Sequence, residues 1–212
     1  MKTVLIAAMT LCGRISPAGM ASPEDRRLLE EMRDGSQAGL IGAGTLRAEN
    51  VEMRGVGGRL PAGRIRALIS ASGRLPVIDR KIFQTGPPPL IFTGARGAGV
   101  LGGLVENLAE LVVIPEEDGI LSLAAAWEHL ARRGVEDLLV EGGAGLNYQA
   151  LRQGLVDELL ITITPRISGD RAATSLVTGP RPLGFPFLSL ELLSCRATGA
   201  GELFCRYRVV KP

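Results

Sequence analysis

Glu141 ends an apolar run, Leu138-Leu139-Val140, and is followed by Gly142, Gly143 and Gly145, with a helical pattern opening from Ala144. This order predicts a strand that delivers a carboxylate to its carboxyl end. Next come a turn clear of side chains and a helix whose first amides lack partners. Such a helix start favours an anion, phosphate above all, because free N–H groups and the helix dipole act together. It is not the dinucleotide fingerprint, since Gly143-Ala144-Gly145 runs on into Leu146, Asn147 and Tyr148 without a third glycine. An ordinary strand-turn-helix connection is the competing reading.

Little else in the chain offers reactive chemistry. One histidine, His129, and three cysteines without a C-x-x-C pair argue against a structural zinc site and against a Cys-His nucleophile. His129 flanks the stripe Leu123, Trp127, Leu130 and reads as a surface or flanking residue, not a general acid. If the closing hairpin pairs Ala197 with Glu202, Cys195 lies opposite Phe204. The Cys195 and Cys205 sulfurs then point to opposite faces, so no disulfide is expected and a reducing cytoplasm fits. A net charge of +2, with basic residues scattered and not interleaved with aromatics, disfavours nucleic acid. Lys2 followed by Thr3–Cys12 has the outline of a signal peptide, but it carries one positive charge and no small-x-small site, so a buried first strand is expected. No run approaches the ~18–20 apolar residues of a membrane span.

The elements that must position Glu141 follow from periodicity and punctuation. Strands are predicted at Thr3–Thr10, Ala38–Ile41, Ile65–Ser70, Leu90–Thr93, Leu111–Ile114, Leu138–Val140 and Glu158–Thr164. Ser22-Pro23-Glu24-Asp25 starts a helix with a serine cap, a proline and two acids. Leu28, Leu29 and Met32 form its apolar face, and Asp34-Gly35 stops it. A second helix spans Leu121–Arg133, a glycine-rich loop covers Gly55–Gly63, and the tail, Leu188–Ala197 and Glu202–Val210, alternates as a β-hairpin. The 212 residues suit a single α/β domain: a mostly parallel sheet flanked by helices and closed by an antiparallel hairpin. In such sheets ligands bind beyond the carboxyl ends of the strands, where Gly42–Thr45, Thr93-Gly94 and Glu141–Gly145 fall.

Four segments together resemble the reductase domain of riboflavin-biosynthesis deaminase-reductases, a family with the dihydrofolate reductase-like fold. They are Leu11-Cys12-Gly13-Arg14-Ile15, Ser22-Pro23-Glu24-Asp25 with Arg33 eleven residues after the serine, Gly42-Ala43-Gly44-Thr45-Leu46-Arg47-Ala48-Glu49-Asn50, and Glu141-Gly142-Gly143 continuing to Gly154-Leu155-Val156-Asp157-Glu158-Leu159. The resemblance spans essentially the whole chain. It implies NADPH-dependent reduction of a phosphoribosylaminopyrimidine, the opened ribose becoming ribitol, by a cytoplasmic homodimer. It further implies cofactor contacts at Thr45 and Glu49, substrate contacts at Arg33 and Glu141, and a phosphate cradle at Gly143, Ala144, Gly145, Leu146 and Asn147.

Thr93 is a further candidate cofactor contact, and Arg96 a candidate for a 2′-phosphate, against the reading of Arg96 as a solvated loop residue. The chain departs from the family pattern at three places. Cys12-Gly13-Arg14 stands for an acid-Gly-basic motif, and Glu49 stands for an aspartate. A Leu and an Arg that contact substrate fall at Met53 and Val56, with Arg54 able to replace the latter. No H-x-E or P-C-x-x-C deaminase signature occurs. Two alternatives stand beside this reading: a dihydrofolate reductase-like enzyme acting on a pterin or another small molecule, and an NADPH-binding protein without turnover. The apolar closing hairpin, with Leu188, Leu190, Leu192 and Leu193 beside Phe204, Tyr207, Val209 and Val210, supports a dimer unless a helix of the same chain covers it.

Overall fold

A computed structural model describes residues 1–15, 19–184 and 187–211. The loop expected from Leu11 to Ala21 therefore falls partly outside the described residues. Elements alternate along the chain as the punctuation predicts. Strand β1 (Lys2–Thr10) leads to helix α1 (Pro23–Asp34), whose cap Ser22 accepts from the Asp25 N–H. Strand β2 (Ala38–Gly42) leads to the short helix α2 (Ala43–Ala48), and β3 (Ile65–Ile69) to α3 (Lys81–Gln84). Strand β4 (Leu90–Thr93) is followed by α4 (Ala95–Leu101) and β5 (Glu110–Val113). A small hairpin, β6 (Glu116–Glu117) and β7 (Ile120–Leu121), precedes α5 (Leu123–Arg132). Then come β8 (Asp137–Val140), α6 (Ala144–Arg152), β9 (Glu158–Thr164), β10 (Leu190–Ala197) and β11 (Leu203–Val209).

Among the described residues, nine strands form one sheet in the order β10-β11-β9-β1-β8-β2-β3-β4-β5. Every neighbouring pair from β9 to β5 is parallel, and β11 and β10 close the edge antiparallel. The expected strands are present to within a residue or two. Helices α3 and α4 and the β6–β7 hairpin were not foreseen: each is short, and too few residues carry a period to be read. Leu121 belongs to β7, so α5 begins two residues later than expected. The glycine-rich loop contains a 3-10 turn at Val56–Gly58.

Side chains alternate across the sheet and divide the core. On one face Ala38, Leu40, Phe92, Leu138 and Val140 pack against Trp127 and Leu130 of α5 and Leu146 and Ala150 of α6. The other face carries two separate apolar patches. Val4, Ile6 and Leu139 meet Leu29 and Met32 of α1. Ile41, Leu68 and Ile91 meet Leu46, Ile82, Phe83 and Leu101. Between them lies β2 at Gly39, which offers no side chain.

The hairpin register corrects one expectation. Ala197 pairs with Leu203, not with Glu202, so Cys195 lies directly opposite Cys205. The turn takes one residue more than was assumed, and a shift of one residue moves a side chain to the other face.

Candidate active site

The carboxyl ends of β8 and β2 bring two glycine turns together. The Glu141 N–H donates to the Leu40 carbonyl at 2.9 Å and the Gly42 N–H to the Gly142 carbonyl at 3.0 Å. Gly142 and Gly143 both have positive φ, 91° and 52°, and Gly143 pairs its φ with ψ 152°, a conformation essentially confined to glycine. Gly143 caps α6 without a side chain, and the first intrahelical bond runs from the Asn147 N–H to the Gly143 carbonyl. The amides of Ala144, Gly145 and Leu146 therefore have no acceptor within the helix.

A Cβ built on Gly143 would come within 3.2 Å of Thr45 Oγ1, so this glycine keeps the space beside Thr45 open. Asn147 is fully buried. Its Nδ2 donates to the Leu176 carbonyl at 2.8 Å, while its Oδ1 has no partner among the described residues. A gap free of Cβ atoms, unpaired amides on a nine-residue helix and an orphaned buried acceptor together fit a phosphate-bearing nucleotide. The Leu176 segment reaches this place through pairing of Arg14 with Ser175 and of the Leu176 N–H with the Gly13 carbonyl.

The remaining cofactor candidates are placed less uniformly. Thr45 is half-buried inside α2, whose cap is Gly42, so Thr45 is not a helix cap. Glu49 is exposed, just past α2, with no side-chain partner among the described residues. Thr93 is fully buried and its hydroxyl donates to the Ser70 carbonyl at 2.7 Å. Ser70 and Thr164, at the carboxyl ends of β3 and β9, carry buried hydroxyls without partners among the described residues. At the far end of this edge a cleft of about 580 Å³ is lined by Arg96 together with Ile114, Pro115, Glu116 and Asp118.

The substrate candidates form a buried ion cluster over Gly39. Arg33 ends α1, and its Nε and Nη2 donate to Glu141 Oε2 at 3.0 and 2.6 Å. Its Nη1 donates to the Arg54 carbonyl at 3.0 Å. From the other side Arg64 Nη2 reaches Glu141 Oε1 at 3.0 Å, and Arg64 Nε reaches Ser36 Oγ at 3.2 Å. Side-chain exposure is 4% for Arg33, 5% for Glu141 and 2% for Arg64. Glu141 is thus no solvated strand end. One carboxylate between two guanidinium groups leaves a net positive charge out of water, and Arg64 Nη1 has no partner among the described residues. Burial is the main cause that pulls the Arg64 pKa below its ordinary value, against the opposing pull of Glu141.

Gly39 is what admits this cluster: a Cβ there would lie 2.4 Å from Arg64 Nη2. Sequence reasoning missed Arg64, although a signal existed. Arg64, just before β3, and Arg66 and Leu68 within it follow one alternation, and Leu68 is fully buried, so period two places both arginines on that face.

Met53 and Arg54 divide differently. Met53 is 1% exposed, packed in the α2–α4 core patch with a positive φ of 59°, and presents no side chain to a ligand. Arg54 is partly exposed, pairs with Glu52 at 2.5 Å, donates to the Gly58 carbonyl and touches Arg33 only through its own carbonyl. His129 packs edge-on against Phe92 with ring centroids 5.6 Å apart, and burial lowers its pKa. It takes no part in the site. Cys12, just past β1, is exposed. Its sulfur meets Thr10 Oγ1 at 3.2 Å and accepts from the Ser168 N–H at 3.4 Å. Those bonds, with Thr10 foremost, lower its pKa to about 7. Among the described residues no cluster of three His, Cys, Asp or Glu side chains forms a metal site, and no helix is long and apolar enough to cross a membrane.

The parallel sheet order and the closing antiparallel hairpin are those of the dihydrofolate reductase-like class of fold. The family model of the RibD C-terminal domain matches residues 2–204, and the chain belongs to that family. It is 32% identical over 182 residues to a 2,5-diamino-6-ribosylamino-4(3H)-pyrimidinone 5′-phosphate reductase of Methanothermobacter thermautotrophicus, covering 83% of each chain. It is 30% identical to the riboflavin biosynthesis protein RibD of Synechocystis, covering 94% of this chain and 55% of that longer protein. The crystal structure of a pyrimidine reductase-like protein from Corynebacterium diphtheriae superposes with a TM-score of 0.82 at 25% identity, covering all of this chain and 92% of that one.

Proposed function

We propose that this chain is an NADPH-dependent reductase of riboflavin biosynthesis. Its substrate would be 5-amino-6-(5-phosphoribosylamino)uracil or the diaminopyrimidinone equivalent, with the ribosyl group reduced to ribityl. The observation that carries the reading is the juxtaposition at one sheet edge of the Gly142-Gly143 cradle with a buried, positively charged Arg33–Glu141–Arg64 cluster. The α6 amides, beside Thr45, would hold cofactor phosphates, and Arg96 would be the cation for a 2′-phosphate. When bound, the cofactor supplies the hydride that the ring-opened ribose carbon accepts.

The chain's own contribution is orientation and charge. Glu141, held from both sides by Arg33 and Arg64, would present its carboxyl oxygens as acceptors to the substrate's amino or hydroxyl groups. The surplus positive charge of the cluster favours the phosphorylated substrate. Arg33 reaches a substrate phosphate only if its bonds to Glu141 are exchanged or shared. Burial and full pairing also make it a structural ion, and both roles belong to one residue.

Residues 1–212 act in this reading as one reductase domain, in the cytoplasm. A homodimer is part of the proposal. Strand β10 is exposed along its whole length, with Leu190, Leu192 and Leu193 at 42%, 54% and 36% exposure. Sedimentation at micromolar concentration tests this, and a single species of 22.4 kDa rejects the dimer. Titration with NADPH and NADH by fluorescence, then nicotinamide oxidation on adding the pyrimidine, tests the activity. Binding and turnover support the proposal; no binding of either nucleotide rejects it. Binding without turnover favours a pterin reductase or a non-catalytic NADPH-binding protein.

A further inference from the structure

Cys195 and Cys205 face each other across β10 and β11 with their sulfurs 3.3 Å apart. The position in the ladder suits a covalent bond. The Thr198 N–H donates to the Glu202 carbonyl, which marks that pair as hydrogen-bonded. Pairs alternate along an antiparallel ladder, so Ala197–Leu203 is non-bonded, Arg196–Phe204 bonded and Cys195–Cys205 non-bonded. Non-bonded pairs bring Cα atoms to about 4.5 Å, inside the span that a disulfide bridges, and the sulfurs need to move on the order of 1 Å.

We propose that Cys195 and Cys205 are a modification site: a dithiol that a low-molecular-weight disulfide, such as oxidised glutathione, converts to an intramolecular cross-strand bond. Cys195 is exposed on the edge strand and is the sulfur that the reagent reaches, whereas Cys205 is 3% exposed. The Cys195 thiolate attacks one sulfur of the small disulfide, forming a mixed disulfide and releasing one small thiol. Cys205 then loses its proton to solvent and attacks the Cys195 sulfur. The intramolecular bond forms and the second small thiol leaves. Two protein thiols are oxidised by two electrons, and one small disulfide is reduced to two thiols.

The surroundings favour the pair over an external partner. Arg196 lies on the opposite face, over the Phe204 ring, and Tyr207 and Leu203 flank Cys205 on its own face. The bond would pin the register of the outermost strand beside the irregularity between Leu192 and Ser194.

The test uses the full chain carrying Cys12→Ser, which removes the other exposed thiol. After incubation with oxidised glutathione, acid quenching, unfolding and alkylation, intact mass and peptide mapping report the thiols. The expected product is lighter by two hydrogen atoms, has no alkylatable thiol, yields a linked Cys195–Cys205 peptide and reverts with dithiothreitol. Adding Cys205→Ser should stop the reaction at a glutathione adduct on Cys195. Adding Cys195→Ser should leave Cys205 unmodified while the fold is intact, which covers failure of the Cys205 variant to fold. A persistent glutathione adduct in the chain with both thiols, a link between two chains, or two free thiols after treatment would overturn the proposal.

Discussion

Removing the Glu141 carboxylate should cost far more stability than removing Arg64, although both belong to one cluster. In Glu141→Ala the guanidinium groups of Arg33 and Arg64 stay buried beside each other without their shared counter-ion. Leaving a buried charge unpaired in this way costs about 3–5 kcal/mol, a large part of the ~5–15 kcal/mol that stabilises a typical domain. In Arg64→Met the contacts to Glu141 Oε1 and Ser36 Oγ are lost, but Glu141 keeps two bonds from Arg33, and the orphaned Arg64 Nη1 disappears. The net cost there should stay at about 2 kcal/mol or less, because loss of the bonds is partly offset by removal of an unsatisfied buried group. Urea unfolding at neutral pH reads both as shifts in midpoint at constant slope. Gly39→Ala supplies the coupling test, since the three atoms nearest its Cβ all belong to the Arg64 guanidinium, Nη2 at 2.4 Å, and Arg64→Ala removes them. The penalty of Gly39→Ala should therefore shrink in the Arg64→Ala background. If Arg64→Met costs as much as Glu141→Ala, or the two substitutions at 39 and 64 add independently, the buried cluster does not exist as described.

Arg33→Ala should weaken binding of the phosphorylated substrate by on the order of 2–5 kcal/mol and NADPH binding far less, read as KM against cofactor Kd; equal losses would make Arg33 purely structural. Gly143→Ala forces a side chain into a glycine-only conformation at a cost of about 1–3 kcal/mol and should weaken NADPH binding roughly tenfold. Unchanged fluorescence titration and melting would refute the cradle. Cys12 should be alkylated with a midpoint near pH 7, set by its thiolate fraction, and Thr10→Val should move that midpoint upward. Iodoacetamide rates mapped to the Cys12 peptide check this, and a midpoint near the ordinary free-thiol value of about 8.5 would contradict it.

The sequence by itself determined the alternation of strands and helices, the Ser22 cap and the glycine turn after Glu141. Each of these is written in local chemistry: a period, a capping oxygen, or a run of residues without Cβ atoms. Tertiary structure decided the rest, because it depends on which strands become neighbours. Glu141 is a buried ion because β8 lies beside β2 and Gly39 leaves room for Arg64, a residue far away in the chain. Met53, aligned with a family contact, became core because its segment folds under α2–α4 and turns its side chain inward. The facing of Cys195 and Cys205 hung on a single residue in the hairpin turn. A strand has a period of two, so the length of the turn, fixed only when both strands are held against the sheet, selects the face on which every side chain beyond it lies.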